Sequence, residues 1–149
     1  WNPENIKGVH SRGIECKSVY KNDMFFHEIN YQYNLSTNQK GMNNLDASVG
    51  KQLIYTPIHK ANLTSVYNIK NLKLLLNQSF NGKVYTSSDN LNFLDHNYIV
   101  NTTIEYHIKW IKSDVSLIVN NIGNTEYQTY QNYPNPGREF IFKLNININ

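Results

Sequence analysis

Residues 139–149 restrict the fold of this chain more than any other stretch. Phe140, Phe142, Leu144, Ile146 and Ile148 share one parity, and Glu139, Ile141, Lys143, Asn145 and Asn147 share the other. One face of the segment is wholly apolar and the opposite face nearly all polar. An extended strand separates residues with a period of two, whereas a helix of this sequence would mix the two kinds on every side. Such a strand lies between two different media. They are either a protein core and water, or lipid and a wet lumen.

The same period recurs upstream. Residues 7–20 put Ile14, Cys16, Ser18 and Tyr20 on one face and Gly13, Glu15, Lys17 and Val19 on the other. Residues 24–35 alternate Phe25, His27, Ile29, Tyr31, Tyr33 and Leu35 with Phe26, Glu28, Asn30, Gln32 and Asn34. Residues 59–69 set Ala61, Leu63, Ser65, Tyr67 and Ile69 against Asn62, Thr64, Val66 and Asn68. Residues 72–85 give a face of Leu72, Leu74, Leu76 and Phe80, with Leu75 and Gln78 as exceptions. Residues 97–111 carry the cleanest alternation, from Tyr98 through Ile104 to Trp110. In the next strand Val115, Leu117 and Val119 alternate with Ser116, Ile118 and Asn120. Seven strands and no helix are predicted.

The connections between them alternate strictly in length. Residues 21–23, 70–71 and 112–114 are short turns, while 36–56, 86–96 and 122–137 are long loops. A β-sandwich has no reason to collect every long loop at one end. Outer-membrane barrels do so, with short periplasmic turns and longer extracellular loops. Tyr20, Tyr67, Tyr98 and Trp110 fall near strand ends, as interfacial girdles require. Strands of this length suit a tilted membrane crossing of about 9–11 residues. A mean hydropathy of −0.57 agrees with this reading, because barrel strands present only half their residues to lipid.

An odd strand number does not close an antiparallel barrel, and an open edge in lipid is costly. The expected fold class is therefore all-β: an antiparallel up-and-down transmembrane β-barrel segment, about seven strands of a larger barrel. The chain is expected to be a fragment, a split product or a truncated form. A net charge of +3, from 14 Lys+Arg against 11 Asp+Glu, argues against nucleic acid as a partner. The single Cys16 excludes an internal disulfide.

Several stretches carry a family likeness. They are Pro3-Glu4-Asn5 with Ser11-Arg12-Gly13-Ile14-Glu15, Tyr55-Thr56-Pro57 with His59-Lys60-Ala61-Asn62, and Asn121-Ile122 with Tyr127. Asn132-Tyr133-Pro134-Asn135-Pro136-Gly137-Arg138, which leads into the last strand, is the most specific. In these stretches the chain resembles the C-terminal part of the 22-stranded barrel of TonB-dependent outer-membrane receptors. The resemblance implies that residues 1–149 are that segment, without the plug domain. It implies a place in the cell outer membrane of a Gram-negative type, among outer-membrane lipid. It further implies import of a siderophore, cobalamin or similar chelate by TonB-coupled transport, with no bond chemistry. The partners implied are the remainder of the barrel and plug, TonB acting through the plug, and a small-molecule ligand. The family ends on an aromatic residue, whereas Ile148 and Asn149 stand here.

Tyr127, Tyr130 and Tyr133, beside Gln128, Gln131 and Asn132, are the candidate ligand contacts, since aromatic and amide groups together suit corrin, sugar or siderophore surfaces. Glu105, His107 and Lys109 share a face with no convergent ligand set, so they read as lumen wall. His10, His59 and His96 lie at long-loop ends, and Asp89 alone is too little for calcium. No catalytic, metal or cofactor site is read, and the protein is expected not to be an enzyme. Two rivals remain. A soluble secreted β-sandwich binding carbohydrate or protein would pack its apolar faces together. A small autonomous barrel would need an eighth strand from the first residues, where no alternation exists.

Overall fold

The computed structural model describes residues 8–41, 43 and 45–146. Pro3-Glu4-Asn5, and Ile148 of the expected last strand, lie outside them. The described chain is a single meander. Strands β1 (Val9–Lys21), β2 (Phe25–Asn38), β3 (His59–Ile69), β4 (Leu72–Asn81), β7 (Asn97–Ile108), β8 (Ser113–Asn120) and β11 (Glu139–Ile146) form a seven-stranded sheet in that order, every neighbour antiparallel. Two small ribbons interrupt the long loops: β5 (Val84–Tyr85) with β6 (Phe93–Leu94), and β9 (Gln128–Tyr130) with β10 (Tyr133–Pro134). Every short turn stands at one end of the sheet and every long loop at the other.

The register keeps the two faces apart across the whole sheet. One line of partners runs Ile29, Leu63 and Gln78; another runs Tyr67, Leu74, Ile104, Leu117 and Phe142. The opposite face carries lines such as Glu28, Thr64, Asn77, Asn101, with Asn120 and Glu139 adjoining. A slip of one residue would exchange the faces, so the pattern itself fixes the register. The exceptions become orderly. Gln78 sits on the apolar face, where the Tyr98 hydroxyl donates to its Oε1. Leu75 belongs to one apolar row of the polar face, in which Phe26, Val66, Leu75, Ile118 and Ile141 lie level, interrupted by Thr103.

Burial is inverted relative to a globular domain. Ile99 is the one buried apolar side chain among the described residues, against nine buried polar ones that include Ser113, Ser116 and Asn121. Phe140, Phe142, Leu144 and Ile146 are all more than half exposed. A β-sandwich needs a second sheet over the first, and among the described residues only the two ribbons exist besides the main sheet. The sandwich is therefore not the architecture adopted.

The slope of the strands can be read from the turns. Phe25 is level with Tyr67, two residues short of the end of β3 at Ile69, and Leu72 is level with Tyr106, two residues short of the end of β7 at Ile108. Each hairpin thus drops about two residues over two strand spacings. With roughly 3.4 Å per residue and 4.8 Å per strand, turns in one plane require strands inclined by about 35°, the tilt of a barrel wall.

Several boundaries differ from those expected, and β8 already begins at Ser113 within the expected turn 112–114. The strand from Asn97 ends at Ile108 and not at residue 111, because Lys109–Ile111 form a 3-10 turn closed by Lys112 at φ 47. Trp110 therefore sits on a turn, 85% exposed. The strand from Leu72 stops at Asn81, where Gly82 passes so close to the His59 carbonyl that a Cβ would lie 2.9 Å from it. The second strand instead runs on to Asn38, held by the Gln52 bridge to Thr37.

Candidate functional site

The long-loop end is built on one buried amide. Gln52 Oε1 accepts from the Ser36 N–H at 2.9 Å, and its Nε2 donates to the Thr56 carbonyl at 3.1 Å. The Gln52 N–H donates to Asn90 Oδ1, and Asn90 Nδ2 returns a bond to the Gln52 carbonyl, both at 2.9 Å. The first long loop is thereby tied to β2 and to the second loop. Asn90 adopts φ 62 and Tyr55 φ 53, a conformation uncommon for a bulky side chain. In it the Tyr55 N–H donates to the Tyr85 carbonyl at 2.8 Å. The ring of Tyr55 packs on Tyr130 of the third loop with centroids 5.2 Å apart. Three loops far apart in sequence thus form one layer.

Asn121 plays the matching part in the third loop. It donates from Nδ2 to the Thr125 carbonyl, accepts from the Thr125 N–H, and its own N–H reaches Asn101 Oδ1 on β7 at 2.8 Å. The Arg138 N–H donates to Asn124 Oδ1, closing the loop before β11. Asp89 stays in the second loop, where the Ser87 hydroxyl and the Leu91 N–H hold its carboxyl below the usual carboxylate range.

Of the three tyrosines expected to contact ligand, the structure brings Tyr130 into the inter-loop contact. Tyr133 lies on the paired strand β10, 74% exposed, and Tyr127 is half-buried. Sequence reasoning missed Tyr55, Tyr85 and Lys83. The parity shared by Lys83 and Tyr85, one step past β4, was the available signal. Three of the histidines, His27, His59 and His96, are drawn into aromatic contacts, while His10 lies exposed on β1. His59 Nδ1 lies 2.9 Å from the Tyr31 hydroxyl, and His96 packs against Phe80. His27, on the apolar face, bonds Ser65 at 3.0 Å and stands among Tyr20, Phe25 and Tyr67 at the short-turn end. There it belongs to an interfacial belt.

The polar face is a ladder of paired side chains. Lys17 meets Glu28 at 3.1 Å, Gln32 donates to Glu15 at 3.0 Å, and Thr64 donates to Asn77 at 3.1 Å. His107 and Asp114 meet at 2.7 Å. Among the described residues no three His, Cys, Asp or Glu side chains converge on a metal-sized site.

A mostly apolar face, a wet face, inclined strands and one-sided loops define the wall of a transmembrane β-barrel. Solved structures share this wall. The siderophore receptor PiuA from Acinetobacter baumannii matches 93% of the chain at TM-score 0.82 and 20% identity, over 22% of its own length. The ferric yersiniabactin uptake receptor FyuA from Yersinia pestis matches 91% at TM-score 0.70 and 16% identity, over 22% of its length. The ferric-catecholate import receptor Fiu from K12 E. coli matches 93% at TM-score 0.74 and 19% identity, over 20% of its length. The fold is that of the barrel wall of these receptors. The chain spans about a fifth of the length of these structures. No family model and no curated protein matches the chain.

Proposed function

We propose that this chain is part of an outer-membrane receptor that imports a scarce nutrient, a ferric siderophore or similar chelate, by TonB-coupled active transport. The observation that carries the reading is the joined layer of three long loops at one end of an inclined, two-faced wall. In this reading residues 1–149 are the C-terminal segment of the barrel. The apolar face meets outer-membrane lipid, and the long loops face the exterior, with Tyr127, Tyr130 and Tyr133 among the groups open to ligand. The outer edges of β1 and β11 pair with the remainder of the barrel, and a plug within it meets TonB.

Deleting the locus should abolish growth on one ferric chelate as sole iron source, and the intact locus should restore it. The chain should fractionate with the outer membrane and show heat-modifiable gel migration. A compact monomer in detergent-free buffer would overturn the reading.

A further inference from the structure

Lys83 follows β4 and precedes the β5–β6 ribbon. Its Nζ stands 5.1 Å from the Tyr85 ring centroid and 4.7 Å from that of Phe93. The two residues are cross-strand partners, so their rings lie side by side under one ammonium. Both distances fall within the range at which a ring quadrupole attracts a cation. Rings hold an ammonium in place without neutralising it. Among the described residues the two ion pairs present are Lys17 with Glu28 and His107 with Asp114, so Lys83 has no carboxylate partner. The side chain is exposed, and so is Phe93 at 48%.

The surroundings place this charge in the loop layer. The Tyr85 carbonyl receives the Tyr55 N–H, and Tyr55 packs on Tyr130. Lys83 is thus a fixed, unneutralised cation one residue removed from the contact that joins all three loops. A lysine normally loses much rotamer freedom when it grips an anion. Here the two rings have already restricted it, so an incoming anion meets a preorganised partner.

We propose that Lys83, positioned by Tyr85 and Phe93, takes an anionic oxygen of the ligand that enters among the three loops, and so makes the site select anionic chelates over neutral ones of similar size. The inference rests on the receptor reading above. It adds the sign of the ligand's charge and the residue that reads it. One charge-assisted contact is worth about tenfold or more in affinity, and the gain should shrink as salt rises.

The test uses the complete barrel to which this chain belongs, folded in detergent micelles and titrated with a ferric tris-catecholate, which is anionic, and a neutral ferric tris-hydroxamate. The proposal expects tighter binding of the anionic complex. K83Q should weaken that complex about tenfold while leaving the neutral one unchanged, and K83R should restore the preference. Lys83 is exposed on a loop, so K83Q should not disturb folding, which heat-modifiable migration checks. If wild type and K83Q bind both chelates equally, the inference fails and the receptor reading stands. Failure of the folded wild type to bind either chelate would overturn both.

Discussion

Leu75 and Leu76 are adjacent in sequence and chemically identical, and the sheet sends them to opposite media. Leu76 shares the apolar face with its partners Ser65 and Thr102, while Leu75 lies level with Val66 and Thr103 on the other. Strand β4 begins at Leu72, so Leu76 is four residues from the short-turn end. At about 35° of tilt each residue climbs roughly 2.8 Å, which puts Leu76 about 11 Å into an apolar band about 25 Å tall. That is close to the midplane, where an arginine on the lipid side costs about 2–4 kcal/mol. Leu76→Arg should therefore lower the folding equilibrium into vesicles by roughly 30- to 900-fold. Leu75→Arg should change it far less, because a lumen position leaves the guanidinium in water. Urea titration of refolding of the complete barrel into liposomes, read by gel migration, measures both. If Leu75→Arg proved as damaging as Leu76→Arg, the assignment of the two faces would be wrong.

Gly13 faces β2 so closely that a Cβ would overlap the Tyr33 carbonyl oxygen. Gly13→Val should detach β1, seen as faster hydrogen exchange along Val9–Lys21 with β7 and β8 still protected; unchanged protection would contradict the register. Gln52→Ala should leave the buried Ser36 N–H without its acceptor. A loss of about 1–3 kcal/mol should raise proteolysis within residues 39–58 by roughly 5- to 150-fold, and an unaltered cleavage rate would remove Gln52 from the centre of the loop layer. The lowered carboxyl of Asp89 stabilises the second loop above the ordinary aspartate range and ceases to do so as pH falls through its folded value. The protection of the Leu91 amide, relative to its intrinsic exchange rate, should accordingly hold at neutral pH and fall only in acid below the ordinary aspartate range, an expectation that Asp89→Asn would erase.

The sheet was legible because a period of two is a local signal. Each strand from Phe25 to Ile146 shows its own faces, and face matching then sets the register. The ends were not legible, because they depend on contacts between distant residues. Residues 109–111 continue the alternation of β7 on paper, yet the chain turns there through Lys112 at a left-handed φ. Gly82 stops β4 through its approach to His59, which no pattern around residue 82 reveals. The site was legible in part. An aromatic and amide-rich third loop was visible, and Tyr130 does take part. Its partner Tyr55 was hidden, since a left-handed tyrosine carries no mark in the sequence. Gln52 is one amide among many, and only its burial distinguishes it.

The strand lengths carry a consequence for the shape of the rim. β2 has 14 residues and β8 has 8. At roughly 2.8 Å of climb per residue, the wall stands about 17 Å higher at β2 than at β8. The short turns keep to one inclined line, so all of that excess lies on the loop side. Along this part of the wall the loop-side edge is therefore slanted, with a tall lip at β2 and a low sill at β8. The first loop hangs from the tall lip, and across four strand spacings, about 19 Å, its Tyr55 comes down onto Tyr130 above the low sill. The tyrosine pair latches the lip to the sill across the slope of this edge.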